Sequence, residues 1–313
     1  MKVLYFFAVY KNPEILLRII DTLQSASSVF LIHVDKRSEF DFHLFQRYSN
    51  VHFTSIRYST PWGGPELPLA IYEGLKEADR YKWDYVCLMS EADYPVKTPE
   101  YISQYLEKSQ KDHILINQLP CENPLETPGG SWLEGGRRRI ECYALRLGDK
   151  QIASIEPHKL NWGNIRQLVK ILRFNPSKLV KAISLIITKK KRKYSVQDFC
   201  GGHLWFFLRR ATVEKILDYL GRNPDFISDS AYTQNLDEVF FPTIVNKVID
   251  DKDEISRNIL RYISWLDNGS SSPKNITMSD LEVVNKCISD PDTLLLRKIS
   301  DLDICQYIDT KLQ

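Results

Sequence analysis

Short apolar runs that alternate with stretches of helical period constrain this chain more than any other feature. The run VLYFFAVY stops at Lys11, Asn12 and Pro13, where EILLRIIDTLQ takes over with apolar residues three and four apart. VFLIHVDK reads as a second buried strand ending in charge, HLFQRYS as helix-like, and VHFTSIR as a third strand. After the turn signal TPWGGPEL, LAIYEGLKEADR reads as a long amphipathic helix, and YVCLMS as a fourth strand that ends abruptly in EADYP. Strands alternating with helices feed a mainly parallel sheet covered by helices on both faces, so an α/β fold is expected. In such sheets ligands sit at the carboxyl ends of the strands.

The 313 residues suffice for one large α/β domain. From about residue 119 to 150 the pattern dissolves into Pro, Gly and charge, including GGRRRIE, and reads as a long loop. Residues 166–194, RQLVKILRFNPSKLVKAISLIITKKKRKY, place Leu, Ile and Val at helical spacing among many basic residues. CGGHLWFFLRR then resumes as a strand and ATVEKILDYL as a helix. Neither an internal repeat nor a low-complexity linker divides the chain, so a single domain over 1–313 is expected. The net charge of +2 supplies no whole-molecule attraction to nucleic acid, and no such partner is expected. The six cysteines, at 87, 121, 142, 200, 287 and 305, form no CxxC pair or zinc spacing and read as reduced thiols. MKVLYFFAVYKNP matches a signal peptide poorly, and no stretch reaches the roughly 20 apolar residues of a membrane span. A cytoplasmic protein is expected, with a peripheral membrane contact left open.

The carboxyl ends of the expected strands carry polar clusters: His33 and Asp35, then Arg57, then Ser90, Glu91 and Asp93. Carboxylate and guanidinium groups on one rim suit the hydroxyls and base edges of a nucleotide; the alternative is that each caps its own strand or the next helix. Farther on, NLDEVFFPTIV sets two adjacent carboxylates, Asp237 and Glu238, directly before a run of large apolar residues.

The ordered series IHVDK, WGG before a helix, LMSEADYPVKT, CGGHLWFFLRR, DEVFFPTI, LRYISW and LLRKIS resembles the core-2/I-branching glycosyltransferase family, glycosyltransferase family 14. This family includes β-1,6-N-acetylglucosaminyltransferases and proteoglycan xylosyltransferases, and the likeness runs from about residue 1 to 300. The resemblance implies a GT-A-type fold, a UDP-sugar donor, inversion at the anomeric carbon and no need for a divalent metal. It divides the chain into a nucleotide-sugar-binding half over 1–118, the loop and basic helical segment over 119–194, and an acceptor and catalytic part with diphosphate-binding residues over 195–313.

Carried residue by residue, the resemblance makes Glu238 the general base that takes the proton of the acceptor hydroxyl. Asp237 is either a helix cap or an acceptor-side residue. Arg261 in LRYISW and Lys298 in LLRKIS are expected to stabilise the leaving diphosphate, the work that a metal at a DxD motif does elsewhere. Glu91-Ala92-Asp93 stands at the usual DxD location and is a poor DxD, with Asp93 still expected near the nucleotide sugar. His33 is a uridine contact or a satisfied core histidine, and Trp62 a sugar platform or core. Trp205 is expected in the core, and Arg137, Arg138 and Arg139 in the acceptor-side loop.

Many family members have glycine where this chain has Glu91, and Phe and Ala where it has Leu295 and Leu296; the donor sugar therefore stays open. The bacterial type of the family fits a chain without evident anchor, stem or paired cysteines. The expected function is transfer of N-acetylglucosamine from a UDP-sugar to a glycan hydroxyl, on a lipid-linked acceptor of bacterial surface polysaccharide synthesis. The alternatives are UDP-xylose or another UDP-sugar as donor, and a non-catalytic UDP-sugar or glycan-binding protein. A glycoside hydrolase would need two carboxylates about 5–9.5 Å apart across one bond, and Glu238 has no evident partner for that. Residues 166–194, with Lys178, Lys181, Lys189, Lys190, Lys191, Arg192 and Lys193, read either as a basic amphipathic membrane contact or as a segment packed on the domain with its lysines in water.

Overall fold

The computed structural model describes residues 1–128, 130–148, 150–187, 192–265 and 272–312. Val3–Val9 has no charged side chain, and it lies inside the main sheet as β1. It pairs in parallel with β2 (Ser28–Val34) on one side and with β4 (Tyr85–Met89) on the other, and β3 (Val51–Phe53) continues in parallel beyond β2. Past β4 come Phe206–Arg209, Asp112–Ile114 and Ile255–Ser256, of which Phe206–Arg209 runs antiparallel to its two neighbours.

Successive side chains of a strand point to opposite faces. Tyr5, Phe7 and Val9 accordingly join the core formed with α1 (Pro13–Thr22), α3 (Pro99–Ser109) and the Leu302–Leu312 helix. Leu4 and Phe6 join the opposite core, with α2 (Glu66–Glu77) and the helices Arg210–Arg222 and Phe240–Val248. The mainly parallel sheet with helices on both faces is thus the architecture that forms. A second sheet sets Arg261–Ile263 parallel to Leu295–Arg297 and the latter antiparallel to β5 (Asp93–Pro95), which brings the C-terminal segments to the carboxyl end of β4.

Several local expectations change. HLFQRYS forms only a 3-10 turn, Phe42–Phe45, whose first N–H groups are met by the Asp41 carboxylate at His43 N (3.0 Å). CGGHLWFFLRR is not one strand: Cys200–Gly201 pairs with Asn117–Gln118, and only Phe206–Arg209 enters the main sheet. Residues 119–150, read as loop, contain the short helix Arg137–Glu141 and the strand Tyr143–Leu147, which pairs with Lys150–Ile155. Gly148 at φ +57° stands in that hairpin's connection, a signal visible in LRLGDKQ. Two helices follow, Trp162–Phe174 and Leu179–Ile187, broken at Asn175 and Pro176 because proline cannot continue a helix. With the hairpin they bury a small core of their own, Tyr143, Leu145, Ala153 and Ile155 against Ile171, Ala182, Leu185 and Ile186. The six cysteines are unpaired.

The antiparallel strand is tied in by Asp112. Its carboxylate is fully buried and accepts hydrogen bonds from Arg209 N (2.7 Å), Arg209 Nη2 (2.8 Å) and Thr212 Oγ1 (2.6 Å). Removing this carboxylate leaves the Arg209 N–H and the Thr212 hydroxyl without their acceptor, at a cost of about 1–3 kcal/mol each, while Arg209 Nη2 keeps its ion pair with Glu254 at 2.5 Å. Asp112→Ala is therefore expected to lower unfolding stability by roughly 3 kcal/mol, read from urea denaturation midpoints.

Candidate active site

The polar groups at the carboxyl ends of β1 and β2 hydrogen-bond to the neighbouring loops. The Asp35 carboxylate accepts from Arg37 N (2.7 Å), Arg37 Nη2 (2.9 Å), Thr60 N (2.8 Å) and Thr60 Oγ1 (2.6 Å). Burial would raise its pKa, but these Arg37 and Thr60 contacts hold it well below the usual carboxylate range. His33 Nε2 accepts the Tyr58 N–H at 3.0 Å, and burial lowers its pKa to about 4, so the ring is neutral. The Arg57 guanidinium donates to the carbonyls of Val34 (3.1 Å), Asp35 (2.7 Å) and Ser38 (2.7 Å). These three side chains hold the loops at residues 36–38 and 58–60.

The DxD-like position is likewise committed to the protein. Glu91 Oε1 accepts the backbone N–H groups of Tyr10 (3.3 Å) and Lys11 (3.1 Å), and burial raises its pKa. Asp93 is fully buried; Oδ2 accepts from Ser90 N, Ser90 Oγ and Arg297 Nη1 at 2.7, 2.7 and 2.9 Å, and Oδ1 lies 3.0 Å from Arg261 Nε. Arg261, expected at the leaving diphosphate, has a fully buried side chain that also donates to the Leu88 carbonyl (2.8 Å). Among the described residues, the Lys and Arg residues that line the cavity beside Glu238 are the neighbouring pair Arg297 and Lys298, while Arg261 lines the cavity next to it. Lys298 Nζ donates to Ser272 Oγ at 2.7 Å, and burial, with Arg297 and Lys11 close by, lowers its pKa. Arg297 was passed over in the sequence; the signal was an adjacent basic pair at the end of an apolar strand.

Those two residues share a cavity of about 140 Å³ with Trp62, Asn235, Asp237 and Glu238. Trp205, expected in the core, is partly buried and forms its wall, with the Arg261 and Arg297 guanidiniums 4.6 and 4.1 Å from its ring centroid. His203, not singled out in the sequence, also lines the cavity; burial beside Arg261 lowers its pKa to about 4. A second cavity of about 260 Å³ adjoins the first across Leu125, His203, Ile263 and Trp265. The larger cavity, about 570 Å³, lies away from this cleft, between the Arg137–Glu141 helix and residues 156–159 and 192–197.

The mounting of Glu238 follows from the apolar run behind it. Residues 240–245 of the Phe240–Val248 helix are all buried, which anchors the 3-10 turn Leu236–Glu238 just before it. The Glu238 N–H donates to Asn235 O (3.2 Å), and its carbonyl accepts the Gly202 N–H (2.9 Å). A Cβ on Gly202 would stand 1.8 Å from the Leu115 carbonyl oxygen, so only glycine lets this segment approach closely enough to hold Glu238. The Trp62 turn docks on the same segment: Asn235 N donates to Gly63 O (3.1 Å), and Gly63 sits at φ +63°. Arg146 of the hairpin donates to the Trp62 and Gly63 carbonyls, leaving the Trp62 indole 65% exposed at the cavity mouth.

Arg139 reaches across from its short helix to form an ion pair with Glu238, its guanidinium stacked on Trp132 with Cζ 3.5 Å from the ring centroid. Asp237 caps neither turn; its Oδ1 is buried with no hydrogen-bond partner among the described residues. Burial, with the Glu238 charge beside it, raises its pKa to about 7 against the opposing pull of Arg139. Among the described residues, no group of three or more His, Cys, Asp or Glu is arranged to hold a metal ion.

A family model described as Core-2/I-Branching enzyme matches residues 3–133 and 165–286. The match takes in Glu238 and Arg261 and leaves Arg139, Arg297 and Lys298 outside. The chain is similar to xylosyltransferase 2 of Homo sapiens, 34% identical over 143 residues, and of Rattus norvegicus, 32% over 143, each covering 43% of this chain and 16% of that protein. It is 29% identical over 144 residues to Xylosyltransferase oxt of Drosophila pseudoobscura pseudoobscura, again 43% of this chain and 16% of that protein. The aligned part thus spans about a sixth of the length of these relatives. The mixed sheet described above is of the GT-A type.

Asp237 makes stability depend on pH. Its pKa in the fold, about 7, lies above the ordinary 3.8, so its favourable contribution is complete below pH 4 and is lost as pH rises toward 7. Asp237→Asn removes that loss. The variant is expected to match the wild type near pH 4 and to exceed it by a few kcal/mol at pH 8, measured by denaturant titration at each pH.

Proposed function

This chain belongs to the Core-2/I-branching enzyme family, and from that premise we propose that it moves a sugar from a UDP-sugar to a hydroxyl of a glycan, with inversion and without a divalent metal. The observation that carries the reading is that Glu238 and the cationic pair Arg297 and Lys298 line one cavity. An acceptor hydroxyl gives its proton to the Glu238 carboxylate as its oxygen bonds to the anomeric carbon. The bond from that carbon to the UDP oxygen breaks on the opposite face, and Arg297 and Lys298 receive the negative charge of the departing diphosphate. Arg261 and Asp93 act one layer behind, by positioning Arg297. With the Glu91 and Asp93 carboxylates committed to backbone N–H groups and guanidiniums, fixed cations are the available electrostatic partner, which supports the metal-free reading.

At 140 Å³ the cavity is smaller than the roughly 300–1,000 Å³ of a pocket for a whole ligand, so it accounts for the reacting centre alone. The nucleoside lies along the ends of β1 and β2, on loops held by His33, Asp35 and Arg57. The acceptor approaches past Trp62, Asp237 and Arg139. N-acetylglucosamine is the proposed sugar; a pentosyl donor is the second reading, favoured by the xylosyltransferases among the relatives. The proposed acceptor is a lipid-linked glycan of bacterial surface polysaccharide synthesis, at the cytoplasmic face of a membrane. Six unpaired thiols suit such a reducing compartment.

Glu238→Gln keeps the shape and removes the base. Turnover is expected to fall by roughly 10²–10⁴ with UDP affinity unchanged, measured by UDP release across a panel of UDP-sugars and by calorimetry. Wild-type turnover in this variant would sink the assignment, and no turnover by wild type or variant across the panel would favour a binding protein.

Arg297→Ala and Lys298→Ala are each expected to weaken UDP binding by roughly tenfold to a hundredfold, the range for a lost hydrogen bond to a charged group, and to slow transfer as well. Excess EDTA should leave activity in place. Activity that disappears on chelation and returns with Mn²⁺ would overturn the metal-free reading.

A further inference from the structure

From Pro157 to Gln197 the chain has eleven Lys and Arg residues and no Asp or Glu. The rest of the chain then carries 31 basic and 40 acidic residues, so one segment holds a strong positive charge on an otherwise acidic protein. Lys189, Lys190 and Lys191 lie outside the described residues, and Arg192 is buried against Thr233 and the Tyr143 ring. The described basic groups at the surface include Arg166, Lys170 and Arg173 on the first helix and Lys181 on the second.

Both helices have two apolar faces. The inner one, with Leu168, Ile171, Ala182 and Leu185, packs on the hairpin. The outer one is a stripe at helical spacing, Ile165, Val169 and Leu172 on the first helix and Val180, Ile183 and Ile187 on the second, and every member is exposed. Trp162, 77% exposed, stands at the start of the first helix. Nine of the 18 large apolar residues exposed among the described residues fall between 160 and 187, so the patch is local and not a scatter of single side chains.

We propose that this outer face docks on an anionic lipid bilayer, with the apolar stripe at the level of the headgroups and the basic residues on lipid phosphates. A basic, acid-free helix pair with an exposed aliphatic stripe and a tryptophan at its end has the composition of an interfacial anchor. No described helix is long and apolar enough to cross a membrane, so the contact is peripheral. Charge decides against a second copy as the occupant: a self-complementary contact would set this basic face against itself with no acidic residue to pair. The same unit supplies Arg146 to the Trp62 turn, and the helix before it supplies Arg139 to Glu238. Docking therefore sets the acceptor side of the cleft close to the bilayer, a consequence that rests on the proposed function, whereas the docking itself does not.

The test is co-sedimentation of the full chain with vesicles of phosphatidylcholine alone or mixed in equal parts with phosphatidylglycerol, at low and high salt. Wild type is expected to bind the anionic vesicles, weakly at high salt, and not the neutral ones. Replacing Arg166, Lys170 and Arg173 by Gln should lower anionic binding by roughly a hundredfold. Replacing Val169, Leu172 and Val180 by Ser should lower it at least tenfold, and as all six residues are exposed, thermal unfolding and UDP affinity should match wild type. No sedimentation with either vesicle, or equal sedimentation with both, overturns the proposal. So does wild-type self-association by light scattering that the serine variant abolishes, which would give the face to a second copy. Vesicle binding needs no turnover, so this proposal and the transferase reading fail separately.

Discussion

The site depends on a carboxylate with no access to water. Burial alone would raise the pKa of Asp93, yet Arg261, Arg297 and Ser90 together hold it below its ordinary value. Three segments meet there: the end of β4 through Ser90, the Arg261–Ile263 strand, and the Leu295–Arg297 strand. An isolated buried charge is very costly, so each guanidinium is obliged to stay while the carboxylate is present. That obligation carries Arg297, and Lys298 after it, to the wall of the cleft. It also keeps the Arg261 side chain fully buried beside the carboxylate.

The opposite demand operates at Asp237 and Glu238. Two adjacent carboxylates at the edge of a core repel each other, and Asp237 meets this by holding its proton to higher pH. The fold tolerates the arrangement because residues 240–245 are buried behind it, Gly202 clasps the Glu238 carbonyl, and Arg139 supplies a countercharge. Local strain borne by a well-packed support is a usual mark of a functional site. The apolar run that seemed at odds with two charges is what holds them in place.

The helical unit at residues 157–187 shows a different economy. Its inner apolar faces make a separate small core, so its outer faces owe nothing to folding. Exposed aliphatic side chains on a stable helix cost solubility and call for a partner, and the lack of any acidic residue there restricts which partner is acceptable.

The strand and helix pattern of the first 118 residues was legible because periodicity is a local property: VLYFFAVY is apolar at successive positions and its burial on both sheet faces follows. The DEVFFPTI motif likewise announced a charged pair on a buried mount. The hairpin at 143–155 was obscured because charge and glycine masked a short pairing, and CGGHLWFFLRR hid a break because Gly202 serves a close approach to Leu115 between the two short strands Cys200–Gly201 and Phe206–Arg209. What the tertiary structure alone decided is partnership. Arg139 meets Glu238 across 99 positions and Arg297 meets Asp93 across 204. Such pairings depend on the order of strands in the sheet, which no single segment encodes; the residue types were therefore readable in advance, while the full burial of the Arg261 side chain and the partial exposure of Arg297 were decided in the completed fold.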